Sequence, residues 1–251
     1  TTGIQVGEIL QHDIRSGKCQ LRRAMDHQLC SGELLELDFG MEAPVLAARL
    51  ITQTPPERPL PRAAFHLATT KSTNALLERK GDPTAFVVTK GFKDLLKIGD
   101  QRRPDLFALN IDQADPLHDL VFEFDERMDA LGDVLKPFDD EAFHQLSDAL
   151  LQAGFTTVAI AFLHAVQNSE HERKAREILQ GKGIRHISCS SELAPFVKIL
   201  PRAETSVVNA YLTPLMERYL DGVESALSGG DFRIMTSAGG FVSRRDYRAK
   251  D

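Results

Sequence analysis

Thr157-Val158-Ala159-Ile160-Ala161-Phe162-Leu163 is the most apolar run in the chain. Without polar alternation it reads as a strand buried on both faces, the mark of a sheet covered by helices. Outward from it, residues 139–153 carry Ala142, Phe143, Leu146, Ala149, Leu150 and Ala153 at helical spacing and stop at Gly154. Residues 170–179 predict a charged helix ending near Gly181 and Gly183, and 184–189 the next strand. Upstream, 84–89 (TAFVVT) repeats the β-branched and aromatic composition of a buried strand, and 64–68 is strand-like. Between them 72–80 is rich in helix formers and reaches Gly81, a suitable residue just past a helix end. A short helix is expected over 93–98, an ordered polar loop over 101–119, and a strand over 120–124 before the acidic turn Asp125-Glu126. Downstream, 205–227 is amphipathic with Pro214 marking a break or kink, and 232–236 is the last strand. This alternation predicts an α/β body with a parallel or mixed sheet.

The first sixty residues differ. Runs at 4–10, 18–23 and 34–39, separated by Gly17, Gly32 and Gly40, read as small antiparallel strands, followed by a short helix over 43–51. Thr54-Pro55-Pro56-Glu57-Arg58-Pro59-Leu60-Pro61 forms a stiff connector, because each proline blocks helix and removes a ladder donor. The expected organisation is a strand-rich segment over 1–62 and an α/β region over 63–251.

With 42% hydrophobic and 26% charged residues, the chain has the means to bury a core, and global disorder is disfavoured. A net charge of -6, with basic residues clustered only in pairs such as Arg22-Arg23 and Arg244-Arg245, argues against nucleic acid as a partner. Cys19, Cys30 and Cys189 are odd in number and share no C-x-x-C spacing, which disfavours a disulfide framework or zinc site and suits a reducing cytoplasm. No run approaches a membrane span and no signal peptide is visible. Thr1-Thr2-Gly3 lacks an initiator Met, so a processed or engineered fragment is expected.

The densest motif runs Thr69-Thr70-Lys71-Ser72-Thr73-Asn74-Ala75-Leu76-Leu77-Glu78-Arg79-Lys80-Gly81. A strand feeding a hydroxyl-rich turn before a helix can present hydroxyls and free N–H groups to a phosphate, carboxylate or polarised carbonyl. The same residues can equally serve as plain helix caps. Ser237-Ala238-Gly239-Gly240 also follows a strand, where paired glycines permit close backbone approach or simply a turn. His164 and His171, with Glu170 and Glu172, lack the i, i+4 spacing and third ligand of a zinc site, so no metal is expected. His66 reads as structural. Asp100-Gln101-Arg102-Arg103-Pro104-Asp105 offers either an anion site or surface ion pairs. Arg202, Glu204, Thr205 and Asn209 sit at a helix entry, as a capping network or a polar site. Ser188, Ser190 and Ser191 show no nucleophile elbow.

Thr69-Thr70 with the run from Thr73 to Gly81 resembles the signature segment of the hydantoinase A/5-oxoprolinase family. Similar segments follow in order: Thr89-Lys90-Gly91-Phe92-Lys93-Asp94, Ile98-Gly99, Arg103-Pro104-Asp105-Leu106-Phe107, Asp125-Glu126-Arg127, His164, His171-Glu172 and Ser190-Ser191-Glu192. Arg202, Thr205, Asn209-Ala210-Tyr211-Leu212, Pro214, Ser237 and Gly239-Gly240 complete the series over residues 64–251. The resemblance implies a partial actin/Hsp70-like ATPase fold of the ribonuclease H type with a mixed sheet. It implies ATP-dependent opening of cyclic amides such as 5-oxoproline, hydantoin, N-methylhydantoin or a lactam, by phosphorylation of the amide oxygen before water attacks. An acetone or acetophenone carboxylase subunit and a non-catalytic domain of the same ancestry are the alternatives.

By the same resemblance Thr69, Thr70, Asn74, Arg202, Thr205 and Asn209 line a substrate or nucleotide cleft, with Ser237, Gly239 and Gly240 near nucleotide; no residue is assigned a catalytic role. ATP with Mg2+ is the expected cofactor of the full-length protein, with none held tightly by this piece. A hydantoinase B-like subunit or fused domain is the expected partner, in an oligomer. The chain departs from the pattern where Lys71 and Ser72 replace a small apolar pair. Both glycine-rich phosphate loops are missing, so the piece is expected to be inactive alone.

Overall fold

The computed structural model describes residues 40–100, 115–194 and 196–247, together with the backbone of Ile9–Asp13 and Lys18–Leu21. Its first elements are β1 (Ile9–Asp13), β2 (Lys18–Leu21), α1 (Ala43–Thr52), β3 (Phe65–Leu67), α2 (Lys71–Leu77) and β4 (Ala85–Thr89). There follow α3 (Leu95–Ile98), β5 (Leu120–Phe124), β6 (Arg127–Met128), β7 (Val134–Lys136), α4 (Asp140–Gln152) and β8 (Thr157–Ala161). The last are α5 (Glu170–Gly181), β9 (His186–Cys189), α6 (Ser190–Leu193), α7 (Ile199–Ala226), β10 (Phe232–Met235) and β11 (Phe241–Ser243).

The chain divides into two units, Thr1–Gly40 and Met41–Asp251. In the first, β1 and β2 pair antiparallel from Ile9↔Leu21 to Asp13↔Lys18, with an irregularity between Ile9 and Gln11. The expected strand over 34–39 lies outside the described residues, as do 101–105 and Cys30.

In the second unit, β5-β4-β8-β9 form a four-stranded, wholly parallel sheet with β4 and β8 at its centre. Every residue of both central strands is buried. Their side chains part by period two. Ala85, Val87, Val158 and Ile160 meet Phe143 and Leu150 of α4 and Ala175 and Leu179 of α5. Phe86, Val88, Ala159 and Ala161 meet Ala203, Val207 and Ala210 of α7. These small residues, three or four apart, give α7 a narrow face that lies close on the sheet.

A second sheet, ordered β11-β10-β3, pairs β3 parallel with β10 and β10 antiparallel with β11. The molecule is therefore α/β with mixed sheets. Leu67, Phe232 and Ile234 pack on Met216, Tyr219, Leu220 and Val223 of α7 and on Val45 of α1. The 28 residues of α7, about 42 Å of axis, thus cover both sheets.

Three boundaries in the structure differ from those expected. The break between units falls at Gly40, not after the prolines, because Leu60 is buried in the same cluster as Val45 and Tyr219. Arg49 also donates from Nη1 to the carbonyls of Pro55 and Arg58, at 2.9 Å each, folding the connector onto α1. The helix expected to end at Gly81 stops at Leu77; Arg79, not a glycine, takes the left-handed position (φ 53°). The helix expected from residue 205 begins at Ile199 and runs through Pro214 without a break. Its first turn, Ile199-Leu200-Pro201-Arg202, contains a proline and a buried arginine, which obscure the helical pattern.

Candidate functional site

Strand register decides which residues share an end of each sheet. Phe65 pairs with Phe232 and Leu67 with Ile234, so the β3–α2 turn and the β10–β11 turn leave the same end of one parallel pair. Thr69, Thr70 and Asn74 belong to the first turn and helix, Ser237, Gly239 and Gly240 to the second turn. All are exposed except Thr69, which is half-buried.

Within the first turn, Thr69 Oγ1 accepts from the Lys71 N–H at 3.1 Å, and the Thr70 carbonyl accepts from Asn74 N–H at 2.9 Å. Thr70 occupies the capping position, yet its side chain makes no capping hydrogen bond. The Lys71 ammonium lies 5.2 Å from the centre of the Tyr219 ring and 3.9 Å from Glu42 Oε2. The second turn closes by Thr236 N–H to Gly240 O (2.8 Å) and Gly239 N–H to Thr236 O (3.0 Å). Gly239, at φ +83°, has open space where a Cβ would sit. The two turns together offer hydroxyls, an amide and unshielded backbone at one end of a sheet.

A different arrangement occupies the C-terminal edge of the four-stranded sheet. Thr89, ending β4, donates from Oγ1 to Glu126 Oε1 at 2.5 Å and accepts from Leu163 N–H at 2.8 Å. Glu126 Oε2 lies 2.6 Å from His171 Nδ1. The neighbouring Glu172, in the first turn of α5, accepts at Oε1 from Phe162 N–H (2.9 Å) and Ser190 Oγ–H (2.6 Å). Its Oε2 accepts from Ser191 N–H (2.9 Å) and Ser191 Oγ–H (2.6 Å). Arg202 of α7 donates to Ser190 Oγ at 2.5 Å and to the Phe162 carbonyl at 3.0 Å, with Glu172 Oε1 3.9 Å away. Burial pushes its guanidinium down and the Glu172 charge pulls it back.

Two adjacent residues, His171 and Glu172, therefore join the ends of all four parallel strands. Ligands of open parallel sheets commonly bind beyond this edge. Here a closed polar network fills it.

This separates the candidate residues. Arg202 is 0% exposed, its guanidinium turned into the network. Thr205 bonds back to the Pro201 carbonyl at 2.8 Å, and Asn209 Nδ2 donates to Ser188 Oγ at 2.8 Å, between α7 and β9. Tyr219, beside the β3–α2 turn, stands seventeen residues (219 − 202) along α7 from Arg202, about 25 Å of axis. Thr69, Thr70, Asn74, Ser237, Gly239 and Gly240 thus lie at the paired turns of the small sheet, and Arg202 at the sealed edge of the large one.

In the sequence Thr89, Glu126, His171, Glu172, Ser190 and Ser191 lie scattered from the end of β4 to the start of α6. No spacing among them signals that they meet. Among the described residues no group of three or more His, Cys, Asp or Glu could hold a metal ion, and no helix is long and apolar enough to cross a membrane.

The family model described as the hydantoinase/oxoprolinase N-terminal region matches residues 49–183, and that of hydantoinase/oxoprolinase matches 202–251. The chain belongs to the hydantoinase/oxoprolinase family. Among relatives, it is 36% identical to the 5-oxoprolinase of Saccharomyces cerevisiae over 241 residues, 80% of this chain and 19% of that protein. It is 38% identical to 5-oxoprolinase 1 of Arabidopsis thaliana, over 72% of this chain and 16% of the relative. The caprolactamase subunit alpha of Pseudomonas jessenii is 30% identical over 62% of this chain and 23% of its own. This hydantoinase/oxoprolinase chain spans under a fifth of the length of the two 5-oxoprolinases.

The crystal structure of the ATP-dependent caprolactamase from Pseudomonas jessenii superposes with a TM-score of 0.60 at 27% identity, covering 69% of this chain and 26% of that one. A nucleotide-free acetone carboxylase gives 0.62 at 22% identity over 72% and 28%, a likeness of fold alone.

Proposed function

We propose that the full-length protein is an ATP-dependent hydrolase of cyclic amides, and that this chain supplies part of its nucleotide-handling body. The observation that carries the reading is 36–38% identity to two 5-oxoprolinases over 72–80% of the chain. The solved relative titled an ATP-dependent caprolactamase, similar in fold, points the same way. Ring amides resist water because resonance places electron density on the carbonyl. Transfer of the γ-phosphoryl group from ATP to the amide oxygen, with ADP leaving, would remove that protection; water would then add to the ring carbon, and loss of phosphate and cleavage of the C–N bond would give the ring-opened acid.

In this reading the β3–α2 and β10–β11 turns face the ligands, Thr70 and Asn74 offering side-chain donors and Gly239 and Gly240 allowing phosphate oxygens close to the backbone. Thr69 shapes the turn. Arg202 and its partners keep the neighbouring sheet rigid, while Thr205 and Asn209 support α7. Mg2+ accompanying ATP, an actin-like ATPase architecture, a hydantoinase B-like partner and a cytoplasmic home belong to the same proposal. The caprolactamase relative is named as an alpha subunit, which supports the partner.

The test is phosphate release by the full-length protein with ATP and a panel of 5-oxoproline, hydantoin, N-methylhydantoin and caprolactam. Release that depends on one of these amides, with ring-opened product, is the expected result. Release dependent instead on a ketone and bicarbonate would replace the reading with a carboxylase. No dependence on any of them would end it.

A further inference from the structure

The chain crosses twice between the β11-β10-β3 sheet and the four-stranded sheet. Residues 78–84 carry it from α2 to β4, and α7 carries it back to β10. The two crossings are pinned to each other. Arg218 of α7 donates from Nη1 to Asp82 Oδ1 at 3.0 Å and from Nη2 to Oδ2 at 2.8 Å, a two-pronged contact. Asp82 N–H donates to the Tyr211 carbonyl at 3.0 Å, and the Tyr211 ring lies against Gly81. Asp82 also fixes the entry to β4, its carbonyl accepting from Thr84 Oγ–H at 2.8 Å.

Energy and geometry point in different directions here. The Arg218 side chain is 63% exposed and that of Asp82 24%, so the pair adds little stability. Two parallel N–H···O bonds nevertheless fix both distance and angle, as a single contact does not. A feature weak in stability but exact in orientation suits positioning rather than holding the fold together.

We propose that Asp82 and Arg218 are positioning residues of the candidate site: their fork sets α2, and with it Thr70 and Asn74, against α7. This rests on the reading that the β3–α2 turn faces the ligands. Small misplacements of contact groups cost rate steeply, since the reacting geometry must be met within fractions of an ångström.

The experiment uses the full-length protein with Asp82→Arg, Arg218→Asp and the double reversal. Each single variant is expected to lower kcat/KM for amide-dependent ATP hydrolysis about tenfold, mainly through kcat, with an unfolding midpoint within about 2 °C of the parent. The double reversal is expected to recover at least half of the loss, which a merely additive pair of defects would not do. In parallel, amide hydrogen exchange over residues 70–80 should accelerate severalfold in each single variant and return in the double. Unchanged kcat/KM in both single variants, or no recovery in the reversal, overturns the proposal. If the parent shows no amide-dependent hydrolysis, the proposed function fails by itself; exchange then decides whether the fork holds α2, and unchanged exchange would sink the fork as well.

Discussion

Gly81 sits under the ring of Tyr211 so closely that a Cβ built on it would fall 2.3 Å from two ring carbons. No left-handed backbone is involved; the requirement is purely steric. Tyr211 is itself buried with Ala75 and Leu212, so the ring has little room to retreat. Gly81→Ala is therefore expected to destabilise the protein by about 1–3 kcal/mol, the usual cost of overpacking. Urea unfolding checks this, and Tyr211→Leu in the same background should recover part of the loss by opening space.

Arg202 offers a sharper test, because two roles for it predict opposite behaviour. As a member of the sealed network it balances Glu172 and occupies Ser190 and the Phe162 carbonyl. Arg202→Met leaves a buried carboxylate without its counter-charge, and a loss of about 3–5 kcal/mol is expected. Arg202→Lys should also destabilise, since one ammonium lacks the planar fork needed to reach both acceptors. A variant that folds with parental stability but loses ligand affinity would restore the arginine to a cleft.

Thr70 is the converse case. A threonine at a helix start normally contributes about 1 kcal/mol by capping, but here its side chain makes no such bond. Thr70→Ala should leave the unfolding midpoint nearly unchanged. In the full-length protein it should lower kcat/KM about tenfold or more, the worth of one hydrogen bond to a charged ligand. A stability loss with intact turnover would return Thr70 to capping.

What the sequence made legible follows from how far each signal reaches. The buried run over Thr157–Ala161 and its counterpart Ala85–Thr89 announce themselves by composition, because a strand covered on both faces needs only apolar neighbours. The β3–α2 turn was readable as a hydroxyl-rich junction whatever its use. The burial of Arg202 was not readable: an arginine in the first turn of a helix looks like a surface residue, and its partners come from the residue after β8, from α5 and from α6. The two-residue strand β6 carried too little pattern to be seen, although the sheet-edge residue Glu126 precedes it directly. Pro214 misled because a proline is expected to interrupt a helix, whereas α7 is held on both sides of it by packing against two sheets.

Cys189 provides a chemical check on the same sealed edge. It ends β9 with 1% of its surface exposed, and Sγ donates to the Glu172 carbonyl at 3.7 Å. Burial pushes the thiol far above its ordinary range, and the Glu172 charge pushes it further, so thiolate is scarce at neutral pH. Peptide mapping after alkylation at pH 8 should find Cys189 modified at least about tenfold more slowly in the folded protein than in urea. Rapid labelling in the folded state would mean that the edge opens.

His118 carries the expected pH dependence. Its ring stacks on Phe86 at 5.6 Å, and neither nitrogen has a hydrogen-bond partner among the described residues. Burial pushes its pKa below the ordinary 6.5, against a backbone contact and the Asp119 carboxylate that pull upward. Below about pH 6.5 the unfolded chain therefore takes up a proton at this residue before the folded chain does. The sign follows: the stability tied to His118 is whole above that pH and is lost as the pH falls towards the depressed folded value. Urea unfolding at pH 7.5 and 5.5 should show a smaller loss for His118→Phe than for the parent. At pH 7.5 the variant should equal or exceed the parent by up to about 1 kcal/mol, since it replaces buried, unpartnered nitrogens with carbon in the same shape. An equal acid loss in both proteins would show that the ring titrates freely and that Phe86 does not shelter it.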